Sequence, residues 1–259
     1  MKKVTSRVLV ISAHDPSGGA GMAADLRALY HAGVQGEGCL TALTVQSAVR
    51  LRSTTPITPS RLREQVTALM DDGGAPAAIK TGALAGSGQV LLLARLLKTR
   101  LAGVPVVCDP VRGPTRGPAF VGRRDAAPFR RALIERLLPL VTVLTPNRNE
   151  YAWLFGTKSP EAVSAASPAA ILVKGGHGSG TRVTDRLYLK GKLVLEHSRR
   201  RVPQRIRGTG CVLASLIAAR LAAGDAIPKA VQNAERMMDG AIRSARPAPG
   251  GQVSMLLLP

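Results

Sequence analysis

A chain of 259 residues, 45% hydrophobic and 20% charged, has a globular composition and the length to bury a substantial core. It has no apolar run of 18 residues, the stretch Val8 to Ile11 is too short for a signal-peptide core, and the cysteines (Cys39, Cys108, Cys211) form no C-x-x-C pair and meet no histidine at zinc-ligand spacing; a reduced compartment, the cytoplasm, is expected. The net charge of +20 makes nucleic acid a competitor, yet 3% aromatic residues and no helix-turn-helix or zinc-finger pattern argue against it, and small phosphorylated substrates would use the same charge.

Residues 7–12 (Arg-Val-Leu-Val-Ile-Ser) form the apolar run expected of a strand buried on both faces of a parallel sheet. A glycine-rich loop from Ala13 to Gly21 follows, then a predicted helix over 22–30 that stops near Gly33. Strand, glycine loop and helix open a nucleotide-type α/β unit, although the G-x-G-x-x-G fingerprint is absent here and no Walker loop occurs anywhere. Gly38 to Gln46 predicts a second strand ending on an amide. Gln46 suits a heterocycle with an amino group beside a ring nitrogen, or it is a solvated loop glutamine. Residues 59–71, after a serine cap signal, predict a helix, and 77–82 a strand ending in a glycine turn.

Further along, a helix over 88–101 leads into a strand over 104–111, which delivers Asp109 to its C-terminal end, the edge where open α/β sheets bind ligands. Residues 112–124, rich in glycine, proline and arginine, read as a mobile loop before a helix over 127–138 and a strand over 141–147. Glu150 falls in the first turn of the next helix, where it is a capping residue or, through water, a holder of magnesium. Residues 169–176 predict a strand ending in glycines, and 184–195 alternate like a hairpin. Arg199, Arg200 and Arg201, with Arg205 and Arg207, bring a basic run to the next turn; such a run is ordinarily a solvated face.

That turn is Gly208-Thr209-Gly210-Cys211, followed by apolar residues at 212, 213, 216 and 217 at helical spacing. Unpaired amides of a first helical turn, together with the helix dipole, make an anion site, and the dipole is expected to favour the Cys211 thiolate. A glycine turn before a core helix with a buried cysteine accounts for the same residues. Five or six buried strands alternating with helices, without a repeat or a low-complexity linker, predict a single domain over 1–259: a three-layer αβα sandwich with a mostly parallel central sheet.

Seven blocks in order, His14 to Leu26, Thr41 to Gln46, Ile79 to Gly82, Cys108 to Val111, Thr145 to Glu150, Val173 to His177 and Gly208 to Cys211, resemble the hydroxymethylpyrimidine and phosphomethylpyrimidine kinases of thiamine biosynthesis, within the ribokinase-like superfamily. The resemblance implies transfer of the γ-phosphoryl group of ATP, with Mg²⁺, to a hydroxymethyl oxygen and then to the resulting monophosphate. It assigns the catalytic anion hole to Gly208, Thr209, Gly210 and Cys211, with Cys211 as the base. Gln46, Asp25, Ala20 and Val111 are expected around the pyrimidine, Asn147 and Lys174 near the nucleotide phosphates, and Asp109 and Glu150 near magnesium. Relatives of this kind imply a homodimer.

The chain departs from the family pattern at Ile206-Arg207, where Thr-His is usual, and at Thr81-Gly82-Ala83, where an apolar Ile-Gly-Met is usual. Val212-Leu213-Ala214-Ser215 replaces Thr-Leu-Ser-Ala, and the loop after Val111 lacks a lysine but holds Arg112 and Arg116. Ala83 keeps a pyridoxal or pyridoxine kinase as the alternative. The charge and Ile206-Arg207 keep a non-enzymatic ligand- or nucleic-acid-binding derivative of the fold as another.

Overall fold

A computed structural model describes residues 6–113, 119–176, 180–248 and 251–256. Arg116 and His177 lie outside the described residues. In chain order the elements are β1 (Arg7–Ser12), α1 (Gly21–His31), β2 (Gln35–Leu40), β3 (Ala42–Gln46), β4 (Leu51–Pro56), α2 (Pro59–Gly73), β5 (Ala78–Thr81), α3 (Ser87–Leu97), β6 (Val106–Cys108) and α4 (Arg123–Ala132). After a π turn (Leu133–Leu137) and a short 3₁₀ turn come β7 (Val143–Leu144), α5 (Arg148–Phe155), α6 (Pro160–Ala165), β8 (Ala170–Val173), β9 (Arg182–Leu189), β10 (Lys192–Arg200), β11 (Ile206–Arg207), α7 (Thr209–Ala222), α8 (Ile227–Arg243), β12 (Arg246–Pro247) and β13 (Ser254–Met255).

An eight-stranded sheet runs β10-β9-β8-β7-β6-β5-β1-β2. The strands from β2 to β8 in this order are parallel, and β9 and β10 add an antiparallel hairpin at one edge. The period-two rule explains why the buried strands read as unbroken apolar runs. Leu9 and Ile11 of β1, Ile79 of β5 and Ile171 of β8 pack on one face with Leu62 and Val66 of α2, Leu93 of α3, Phe129 of α4 and Leu154 of α5. Val8 and Val10, Val107, Val143 and Leu172 pack on the other, with Leu29 of α1, Leu216 of α7 and Met238 of α8. Both faces are covered, which is the three-layer αβα arrangement expected. A fully buried side chain such as Leu9 contributes roughly 1.5–3 kcal/mol by leaving water. No helix among the described residues is long and apolar enough to cross a membrane.

The expected single strand over Gly38 to Gln46 is two strands in different sheets. It breaks at Thr41, whose hydroxyl donates to the Ala83 carbonyl at 2.6 Å and whose own carbonyl accepts from the Gln89 amide and the Ile57 N–H, each at 2.8 Å. β3 therefore leaves the main sheet and pairs antiparallel with β4, a polar strand that periodicity missed. The helix over 59–71 is capped by Thr58 instead of a serine, its hydroxyl accepting from the Arg61 N–H with Pro59 opening the first turn.

The hairpin expected over 184–195 extends to Arg182–Leu189 and Lys192–Arg200, whereas the strands that end at the cleft are shorter than expected. The regions 104–111 and 141–147 contract to β6 and β7, leaving Asp109 and Asn147 just beyond the sheet, and the helix expected to 101 ends at Leu97. Arg123 and Arg124, read as loop, open α4, whose expected continuation to 138 passes into the π turn. α8 escaped the sequence reading although Ala230, Val231, Ala234, Met238 and Ala241 repeat at helical spacing and are buried.

Candidate active site

The C-terminal ends of the parallel strands open onto a cleft of about 950 Å³, within the size range of small-molecule sites. Ala20, Gln46 and Val111 border it, as do Asp109, Asn147, Glu150 and Lys174, and the Gly208, Thr209, Gly210 and Cys211 turn. Sequence positions spread over most of the chain thus meet in one place. Ala83 lines the same cleft.

The turn opens α7 with Gly208 in the left-handed region at φ 76°, where a Cβ would also collide with the Gly19 carbonyl oxygen. Only glycine serves there. Gly208 provides no side-chain cap, and the first intrahelical bond is Val212 N–H to Gly208 O at 2.9 Å, so the preceding amides keep no helical acceptor. Amides so placed at a helix start can cradle an anion. A Cβ on Gly210 would stand 3.0 Å from the Lys174 ammonium, so that glycine keeps the cradle next to a cation.

Cys211 differs from its expectation. Burial pushes its thiol up to about 11; the Lys80 charge and a hydrogen bond from the Gly21 N–H pull it down, while Asp25 and Asp109 push it further up. At neutral pH the resting group is the thiol, not a dipole-stabilised thiolate. Desolvation and two carboxylates outweigh the helix end.

Opposite the turn, Lys174 pairs with Asp109 at 2.7 Å, and Asp109 also accepts from the Thr145 hydroxyl at 3.3 Å. Burial alone would lower the Lys174 ammonium, but Asp109 and Glu150 raise it above its ordinary value. Glu150 is pushed up to about 7 by burial, against the pull of Lys174 and with the repulsion of Asp109. Glu150 and Asn147 form a full capping box: the Asn147 side chain accepts from the Glu150 N–H at 2.9 Å, and the Glu150 carboxylate accepts from the Asn147 N–H at 2.8 Å. The capping role read from the sequence is thus real, and the same carboxylate borders the cleft.

Asp25 is the exception among the expected site residues. It is fully buried beneath the cleft, not on its wall, with its carboxylate held by Lys80 at 2.7 Å and by the Ser215 hydroxyl at 3.0 Å. Its place on α1 turns it toward α7 and β5, so it ties three elements together below the cradle and does not face a ring. Lys80, also 0% exposed, is the residue the sequence reading passed over; a lysine inside an apolar strand was its signal.

Arg207, whose role the sequence left open, points to the glycine loop. Its guanidinium meets Asp15 at 2.9 Å and the Ala48 carbonyl at 3.2 Å. Nor is the basic run simply solvated: Arg199 pairs with Asp185 at 3.0 Å and Glu235 at 3.1 Å, and Arg201 donates to the Gly176 and Gly180 carbonyls.

Free amides at a helix start, a lysine and two carboxylates bordering the same cleft, at the C-terminal edge of an open α/β sheet, are what a small-molecule phosphotransferase needs. A family model described as phosphomethylpyrimidine kinase matches residues 15–255. The hydroxymethylpyrimidine/phosphomethylpyrimidine kinase of Streptomyces coelicolor is 35% identical over 257 residues, covering 94% of this chain and 91% of that protein. Among solved structures, a phosphomethylpyrimidine kinase from Clostridium difficile shares 27% identity with a TM-score of 0.76, covering 92% of this chain and 99% of the other. An ADP complex of Bacillus subtilis pyridoxal kinase shares 26% with a TM-score of 0.80, covering 97% and 96%. The chain belongs to the phosphomethylpyrimidine kinase family.

Proposed function

We propose that the protein transfers the γ-phosphoryl group of ATP to 4-amino-5-hydroxymethyl-2-methylpyrimidine and then to its monophosphate, in the cytoplasm. The observation that carries this reading is that the Gly208 to Cys211 cradle and Gln46, whose buried Oε1 has no hydrogen-bond partner, border one cleft. Gln46 accepts from the pyrimidine amino group, with Ala20 and Val111 beside the ring. Cys211 takes the proton of the attacking hydroxyl while the amides of the turn stabilise charge on the moving phosphoryl group. Lys174 and Asn147 hold the nucleotide phosphates.

Asp109 and Glu150 fit a hydrated Mg²⁺, which takes one or two carboxylates and completes its shell with water and phosphate oxygens. When bound, the ion neutralises phosphate charge. Glu150→Gln should raise the Mg²⁺ concentration for half-maximal turnover about tenfold with the pyrimidine KM unchanged. An unchanged Mg²⁺ requirement would remove Glu150 from this role.

A coupled ADP-release assay with purified protein tests the function: no turnover of hydroxymethylpyrimidine, with the Streptomyces enzyme active alongside, would refute it. A homodimer is part of this reading, because Leu43 (47% exposed) and Val45 (57% exposed) share one face of the two-stranded β3–β4 sheet. Replacing both by glutamate should halve the mass seen by light scattering; a monomeric wild-type protein would sink the dimer.

A further inference from the structure

We propose that Arg207 is a positioning residue for the acceptor site: its guanidinium ties Asp15 of the glycine loop to the Ala48 carbonyl, and so fixes the end of β3 with the Gln46 carbonyl oxygen held out to the substrate. This inference rests on the assignment of Gln46 to the acceptor ring.

The chain of contacts starts 192 residues away in sequence, on β11. Arg207 Nη2 and Nε reach Asp15 Oδ2 at 2.9 and 3.3 Å. The other carboxylate oxygen accepts from the Ser17 N–H at 2.9 Å and the Ser17 hydroxyl at 2.7 Å. Asp15 is 2% exposed, so these donors stand in for water. Burial would raise its pKa, but hydrogen bonds from Gln46, Ser17 and Arg207 bring it below the usual carboxylate value, and the group is ionised.

An ionised carboxylate only accepts hydrogen bonds. Asp15 and Gln46 border the same cleft, and an amide beside an ionised carboxylate turns its N–H side to it, an orientation that accords with the lowered Asp15 pKa. Gln46 Oε1 is the end left over, buried and without a partner. Two features hold the amide in place. The β3–β4 pairing shifts register between Val45 and Gln46, re-aiming the side chain, and Arg207 Nη1 donates to the Ala48 carbonyl at 3.2 Å, fixing the chain just after it.

A buried acceptor held toward the cleft requires a donor from the ligand. The pyrimidine supplies one, the amino group beside its hydroxymethyl arm. Overlaying the methyl and hydroxymethyl groups of pyridoxal on those of the pyrimidine puts the aldehyde oxygen in the amino position, acceptor against acceptor. Pyridoxine has a hydroxymethyl group there, which can donate. The clamp thus orders the three acceptors as pyrimidine, then pyridoxine, then pyridoxal, and offsets the extra room left by Ala83.

Steady-state kinetics with all three acceptors test this in wild type, Arg207→Met, Arg207→Lys and Asp15→Asn. Arg207→Met should raise the pyrimidine KM and narrow the pyrimidine-to-pyridoxal ratio of kcat/KM, each about tenfold or more, with the ATP KM within about twofold of wild type. Arg207→Lys, which keeps a charged bond to Asp15, should recover part of the ratio, an effect that a purely structural role would not produce. Asp15→Asn asks the same question if Arg207→Met does not fold, because an asparagine N–H can bond to Gln46 Oε1 and turn the amide round. An unchanged ratio in the variants overturns the clamp, as does a raised ATP KM with the pyrimidine KM intact, which would assign Arg207 to the phosphates. Failure of the wild-type protein to phosphorylate the pyrimidine would instead sink the parent reading.

Discussion

Cys211→Ala should lower kcat by about 10² to 10⁴ while leaving ATP binding nearly unchanged, since a proton acceptor acts in the transition state and not in the ground state. The pH dependence of the wild-type protein sharpens this. With the thiol pushed up to about 11, the thiolate at pH 7 is a fraction of about 10⁻⁴, so kcat should climb about tenfold per pH unit between 7 and 9. Cys211→Asp should keep turnover and flatten that climb, because a carboxylate is already ionised across the range. A flat wild-type profile, or equal losses of ATP affinity and turnover in the alanine variant, would leave Cys211 as part of the turn's packing only. The cost of the cysteine is its neutral resting state, and the nearby Lys80 charge is what limits that cost.

Much of this site was legible in the chain because its residues follow strand ends. Asp109 and Lys174 come directly after β6 and β8 and Asn147 three residues after β7, and an apolar run ending in polar residues marks such positions without any tertiary information. The turn at 208–211 was legible for a similar reason: glycines before a helical apolar pattern report a local backbone need, and Gly208 at φ 76° has that need. What escaped was set by partners far off in sequence. Asp25 was placed at the ring because its block carries the resemblance, yet its direction is decided by Lys80, 55 residues away, and Ser215, 190 away. Thr41 looks like any strand residue until Ala83 and Gln89 bind it and the strand divides. The Cys211 thiol followed the helix-end rule in sequence and the sum of burial, Asp25 and Asp109 in space. Arg207 carried no local sign that it serves Asp15.

Lys80→Met should destabilise the protein by about 3–5 kcal/mol, read as a lower urea midpoint at constant m, because it strands the Asp25 carboxylate at 0% exposure with the Ser215 hydroxyl as its remaining close donor. Removing both charges in Lys80→Met/Asp25→Val should recover most of that loss, since two ions no longer need to be desolvated. The sign of the pH dependence separates the charge from the packing. Burial raises the Asp25 pKa even against Lys80, Ser215 and Ser12, so the unfolded chain loses this proton at lower pH than the folded one. Stability then falls as pH rises from the ordinary carboxylate value to the raised folded one. Without Lys80 the folded value moves higher still, and the deficit of the single variant should be smaller near pH 5 than near pH 8, while that of the double variant should not depend on pH in this way. A single variant with a pH-independent deficit would reduce Lys80 to a space-filling stem. Because the same ammonium also draws down the Cys211 thiol, any folded fraction of Lys80→Met should show its alkaline climb in kcat displaced to higher pH, connecting the ion pair beneath the cradle to the proton transfer above it.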